Sequence, residues 1–267
     1  MSNINIVRVP ADIDDLRVLI LSDLHVGHIC FDESIFDYYL SLLDDDPDMR
    51  VVCLGDLHET KLRTSKGAPS EQIMPLPEQR KYLIRRLKPY SDRIDGVIRG
   101  NHEDRSPNDG GDDPMDILCD CLGISDRYFG NLGCVAYASD KPRKIAYRVS
   151  IKHGSGGGTT IGNPLNHVHK DIFNMNADIY LRGLYHKATF AGPFSRYDPD
   201  LRNASNPMRE YWLATNGALL SSEGSYAEKG NYPLTYPAQL IMTLSMRKGH
   251  RSVEFATKEP RFFGFGA

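Results

Sequence analysis

The chain has 267 residues, 32 Lys and Arg against 35 Asp and Glu for a formal charge of −3, and 40% hydrophobic residues. That length and apolar share suit a compact protein, expected as a single domain over residues 1–267, and they exclude a disordered, collagen-like or coiled-coil chain. Near-neutral charge removes the strongest global argument for nucleic-acid binding, because a protein that holds DNA through its phosphates usually carries a basic excess.

Five cysteines (Cys30, Cys53, Cys119, Cys121, Cys134) include no Cys-x-x-Cys pair, and Cys53 sits inside an apolar run. They read as free thiols in a reducing cytoplasm. The N-terminal stretch has no basic segment followed by an apolar one, and no run approaches the ~18 apolar residues of a membrane span. Neither secretion nor a membrane partner is expected.

In chain order, residues 17–21 form a continuous apolar run ending at Ser22-Asp23, as in a strand buried on both faces. Residues 51–54 repeat the pattern before Gly55-Asp56, and residues 96–99 before Gly100-Asn101. Between the first two runs, Phe36, Tyr39, Leu40 and Leu43 mark a helical stripe opened by Asp32 or Ser34. Between the second and third, Tyr82, Leu83 and Leu87 mark another after Pro77. Such alternation predicts a parallel sheet with right-handed crossovers. From about Tyr128 the texture becomes antiparallel, with strands expected at 134–138, 145–151, 179–181, 188–191, 211–214, 240–245 and 253–256, and a glycine-rich loop at 154–164. The economical architecture is α/β, a four-layer αββα sandwich of two mixed β-sheets flanked by helices.

Each strand delivers metal-capable or acid/base side chains just past its C-terminal end, where a parallel sheet places its ligand crevice. They are Asp23-x-His25, Gly55-Asp56-x-x-Glu59, Gly100-Asn101-His102-Glu103, His153-Gly154 and Gly183-Leu184-Tyr185-His186. A carboxylate and an imidazole at i and i+2 can reach one ion, and this mixed donor set suits Mn, Fe, Zn or Co better than Ca. A carboxylate from the next strand can bridge two such ions. A pair of cations ~3.5–4 Å apart clamps a phosphate and generates a hydroxide nucleophile from water at neutral pH.

This ordered series resembles the calcineurin-like metallophosphoesterases over about residues 18–188. The resemblance implies the αββα fold and phosphoester hydrolysis with two divalent metal ions. Asp23, His25 and His186 would hold the first ion, Asp56 would bridge both, and Asn101 and His153 would hold the second. His102 would be the general acid and Glu59, where the family usually has Asp, would orient its imidazole. The segments Asn216-Gly217-Ala218-Leu219 and Tyr226-Ala227-Glu228-Lys229 look similar to small phage-encoded members.

One position departs from the pattern. The family reads Gly-His-x-His in its last motif, and here Leu184 replaces the first His, a ligand of the second ion. The second site is then weakened but completed by water or another side chain such as Tyr185, His167 or His169, or the enzyme uses one metal. In the third reading the chain is a catalytically impaired binding or scaffold protein. Because Thr60, not Arg, follows Glu59, a nucleotide or nucleic-acid phosphodiester is preferred over the phosphomonoester or phosphoprotein of the protein phosphatases.

Other residues have plainer readings. His28 reads as a solvated loop residue, His58 as lining the pocket or standing behind it, and Arg105 as an ion-pair partner of Asp104 or another carboxylate. Ser155–Thr160 lacks the Gly-Lys-Ser/Thr ending of a nucleotide loop and reads as a rim beside His153. The aromatics Tyr226, Tyr232 and Tyr236 read as surface packing.

Overall fold

Side chains alternate in facing along the central strands, and that alternation builds four layers. The computed structural model describes residues 3–61, 69–140, 145–155, 160, 162–197, 208–221, 236–247 and 251–257. Strands β2 (Asp15–Leu21), β3 (Arg50–Cys53) and β4 (Ile94–Val97) are parallel neighbours. On their far side, β10 (Leu240–Ser245) joins β2 and β11 (Val253–Thr257) joins β10, both antiparallel, giving a five-stranded sheet in the order β11-β10-β2-β3-β4. Helices α1 (Glu33–Asp45) and α2 (Leu76–Leu87) make the two crossovers.

One face of this sheet presents Leu19, Leu21, Val51 and Cys53 to Phe36, Tyr39 and Leu40 of α1, Leu83 of α2 and Leu118 of α4 (Pro114–Leu122). The other face presents Val18, Ile20, Val52 and Leu54 to a second sheet. That six-stranded sheet runs β1 (Ile4–Val9), β5 (Leu132–Ser139), β6 (Ala146–Lys152), β7 (Ile179–Arg182), β9 (Met208–Thr215), β8 (Thr189–Tyr197). Val135, Tyr137, Val149, Ile151 and Leu181 fill its inner face, each buried. Its outer face carries Tyr180, Tyr211 and Leu213 against Val168 of α5 (Asn163–His169). Each such side chain is worth roughly 1.5–3 kcal/mol when fully buried, so all three interfaces contribute substantially.

Several elements differ from the sequence reading. The second half of the chain is not uniformly antiparallel: in the six-stranded sheet β1/β5, β6/β7 and β7/β9 are parallel, and only β5/β6 and β8/β9 are antiparallel. Residues 154–164, read as loop, contain the start of α5, whose crossover makes the β6/β7 pair parallel. β1 and α4 are absent from the sequence reading, although α4 is bounded by Asp113 as N-cap, Pro114 at its start and left-handed Gly123 at its end. β1 is an edge strand with Ile4 and Ile6 exposed, so its outer residues need not follow a buried pattern. Of the two candidate caps for α1, Asp32 serves: its side chain accepts from the backbone N–H of Ile35. All five cysteines are free.

Candidate functional site

The C-terminal ends of β2, β3 and β4 in one sheet and of β6 and β7 in the other meet along one edge, and all five motifs occupy the loops that follow. Those loops use a backbone conformation that L-residues avoid. Asp23, His25 and Asp56 each have φ +52°, His186 has +54°, Leu184 +75° and Thr60 +26°. Each left-handed residue costs on the order of 1–3 kcal/mol and persists where its surroundings over-determine it. Glycines supply the space. A Cβ on Gly183 would lie 2.9 Å from both Asp23 Oδ2 and His153 Nδ1.

On one side of the site, His186 Nε2 stands 3.3 Å from Asp23 Oδ1 and 3.3 Å from His25 Nε2. On the other, His153 Nε2 stands 3.2 Å from Asp56 Oδ2 and 3.1 Å from Asn101 Oδ1. His25 Nε2 is 3.9 Å from the same Asp56 oxygen, so Asp56 lies between the two groups. The ligand atoms of Asp23, His25 and His186 all fall within 4.8 Å of one another, as do those of Asp23, Asp56 and His153, and those of His25, Asp56 and His102. Asp23, His25, Asp56 and His153 are each at most 3% exposed.

Glu59 reaches the imidazoles of both His25 and His102. Its Oε2 is 2.9 Å from His25 Nδ1 and 3.4 Å from His102 Nδ1. The sequence reading gave it to His102, and the geometry gives the shorter contact to His25, while His102 Nδ1 donates to the Glu59 carbonyl oxygen at 2.7 Å. Gln79 on α2 fixes Glu59 in turn by accepting from its backbone N–H at 3.0 Å.

These groups perturb one another strongly. Burial would raise the Asp23 carboxyl, but the hydrogen bond to His186 and the His153 charge hold it below its ordinary value. Asp56 is likewise pushed up by burial and carried well below by His153 and His102. Burial would lift Glu59 too, and hydrogen bonds to His102 and His25 drive it far down. Burial lowers His25. Burial also works against charging His102 and His153, yet Asp56 and Glu59 raise the first and Asp56 lifts the second to about 10. Three buried carboxylates held ionised beside imidazoles alone form a site built for added positive charge.

The donor chemistry fits two divalent cations. The facing nitrogens of His25 and His186 and the carboxylates of Asp23 and Asp56 are oxygen and nitrogen donors converging on shared points, with no Lys or Arg paired to either Asp among the described residues. At Leu184, the backbone N–H donates to both oxygens of Asp23 at 3.1 Å. Among the described residues the clusters able to hold an ion include neither alternative imidazole: His167 packs on Tyr185 and His169 stacks on Tyr211.

A model of the calcineurin-like phosphoesterase family matches residues 16–187. The chain belongs to the calcineurin-like phosphoesterase family. Its reaction is therefore metal-dependent hydrolysis of a phosphoester, and the family's members typically work with a dinuclear metal centre. Among solved structures, this phosphoesterase is similar to vacuolar protein sorting 29 from Cryptosporidium parvum at 12% identity, covering 92% of this chain and 99% of that chain with a TM-score of 0.44. It is also similar to the calcineurin-like phosphoesterase YfkN from Bacillus subtilis at 10% identity, covering 91% and 88%, with a TM-score of 0.36. Comparison with curated proteins gives no match.

Sequence reasoning missed one residue of this phosphoesterase site and misread two others. Glu103, fully buried, accepts from the backbone N–H groups of Asp56 at 2.8 Å, His58 at 2.9 Å and Gly100 at 2.9 Å, and so clamps the second and third motif loops together. Its position beside His102 was the available signal. His28 is buried, not solvated, and accepts at Nδ1 from the Cys30 backbone. Arg105 does not pair with Asp104, which goes to Arg99 at 2.7 Å. His58 lies behind the site, wholly buried against Glu103. Residues 156–159, Tyr226–Lys229 and Tyr232 lie outside the described residues; Tyr236 is exposed.

Proposed function

We propose that this phosphoesterase hydrolyses a nucleotide or nucleic-acid phosphodiester with two divalent cations, manganese foremost. The observation that carries the reading is Asp56, buried between the Asp23–His25–His186 group and the Asn101–His153 pair. Asp23, His25, His186 and Asp56 would hold one cation; Asp56, Asn101 and His153 would hold the other. The cations would neutralise phosphate charge and lower the pKa of a water.

The protein's own contribution is positioning and proton transfer. His102 is anchored at Nδ1 by the Glu59 carbonyl oxygen, which leaves Nε2 free of Glu59 to protonate the departing alkoxide. Asp56 and Glu59 favour the protonated ring against the cost of burial, which a proton donor at neutral pH requires. Asp56 Oδ1 accepts from the His102 backbone N–H at 2.8 Å, tying the acid to the metal cradle. The diester is favoured over a monoester by the absence of an arginine directly after Glu59, where Thr60 stands. The free thiols support a reducing, cytoplasmic setting.

The test is hydrolysis of bis(p-nitrophenyl) phosphate and p-nitrophenyl phosphate with Mn²⁺, repeated on Asp56→Ala and His102→Ala. The diester should turn over faster, and His102→Ala should lower kcat by about 10²–10⁴-fold. Inactivity with every divalent metal, or full activity in both variants, overturns the reading. A faster monoester moves the assignment to a phosphomonoesterase.

A further inference from the structure

Arg105 opens the short helix α3 (Arg105–Asn108) at the rim of the site, and among the described residues no carboxylate lies within 4.0 Å of it. Its guanidinium has three contacts, one of them Nη1 to His102 Nδ1 at 3.0 Å. Nη1 donates to the Thr60 carbonyl oxygen at 3.1 Å, and Nη2 lies 2.8 Å from His102 Nε2. This half-buried cation therefore stands beside the catalytic acid without a directly paired carboxylate among the described residues.

The place of Nη2 decides what it meets. His102 Nε2 is the atom that gives its proton to the departing oxygen, so a donor 2.8 Å away borders the leaving group. The side-chain donors nearest the leaving oxygen are then an imidazole and a planar fork suited to two oxygens of one phosphate.

We propose that Arg105 reads charge on the leaving group, binding a second phosphate carried by the departing alcohol. The inference rests on the phosphodiesterase reading and narrows it to substrates with a phosphate on both sides of the leaving sugar, as in an oligonucleotide. Uncharged leaving groups leave the guanidinium unpaired and gain nothing from it.

The test compares the dinucleotides TpT, pTpT and TpTp with Mn²⁺, since one of the two added phosphates lies on whichever thymidine departs. Wild-type protein should hydrolyse one of the phosphorylated forms with a kcat/KM about tenfold above TpT, the scale of a charge-assisted pair. Arg105→Met should bring that ratio near one and Arg105→Lys should leave an intermediate value. Independently of turnover, the Kd of thymidine 3′,5′-bisphosphate, measured calorimetrically on metal-free protein, should rise about fivefold in Arg105→Met. A wild-type ratio of one, a ratio unchanged in Arg105→Met, or an unchanged Kd overturns the assignment. So does hydrolysis of bis(p-nitrophenyl) phosphate with none of the dinucleotides cleaved. Those outcomes leave the phosphodiesterase reading standing, whereas inertness toward all four substrates removes both.

Discussion

Glu103 holds three backbone N–H groups with two oxygens in a place water does not reach, and removing it would strand all three donors. An unsatisfied buried donor costs about 1–3 kcal/mol, so Glu103→Ala should destabilise the fold by about 3–5 kcal/mol in urea titration. Glu103→Gln keeps an acceptor and should recover part of that loss. At Leu184 the effect runs through a side chain that donates nothing, while its N–H still serves Asp23. Leu184→His adds an imidazole at the one left-handed position the motif reserves for it, and should raise second-ion stoichiometry in anomalous scattering or titration together with turnover. No gain in bound metal would argue that the site is complete as it stands. Both residues follow a strand by a few positions in sequence, but only Leu184 could be recognised there. A missing ligand is visible against a motif, whereas a carboxylate that binds backbone looks like any other Glu.

At the scale of elements, the strands that carry the site are tied by charge as well as by apolar packing. Asp178, just before β7, accepts from the backbone N–H of Arg148 on β6 at 2.8 Å and from its Nε at 3.2 Å. It also meets Arg251, which leads into β11 of the opposite sheet, at 2.9 Å. Burial would raise this carboxyl, but the hydrogen bond to Arg148 and the Arg251 charge hold it below its ordinary value. A carboxyl depressed on folding adds stability above its unfolded value, near pH 4, and that contribution disappears as pH falls through the folded value. Asp178→Asn should therefore be less stable than wild type at neutral pH, with the gap closing on acidification below about pH 4 when melting is followed by circular dichroism. A gap constant with pH would show that Asp178 acts through its hydrogen-bond geometry rather than its charge. The strands themselves were readable because runs such as Val18–Leu21 are buried on both faces. β1 was not, since half of it faces solvent.

For the whole molecule, the two sheets are ordinary cores, and the edge between them gathers Asp23, Asp56 and Glu59 as buried charge. Cations at that edge stabilise only the folded chain. At a hundredfold excess over its Kd, one cation adds about 2.7 kcal/mol, which for a chain of this size raises Tm by roughly 5–10 °C. Removing metal with a chelator should lower Tm by that amount, and Asp56→Asn, which takes the shared ligand from both groups, should abolish the difference. The apo form should remain folded, because both hydrophobic interfaces are complete without the ions. No helix of the described residues is long and apolar enough to cross a membrane.

Local order along the chain was enough to determine which residue types end each strand, that the strands alternate with helices, and that the ordered Asp, His and Asn motifs belong to metal-dependent phosphoester hydrolysis. Those properties depend on neighbours one to five residues apart. Tertiary structure alone decided that Glu59 leans on His25 as well as His102, that Glu103 is a clamp, that Asp104 goes to Arg99, and that Arg105 lies against His102 and the Thr60 carbonyl oxygen. Each of these is a choice among partners on different loops, made by distances of about 3 Å that follow from how the two sheets stack and how left-handed residues turn the loops inward.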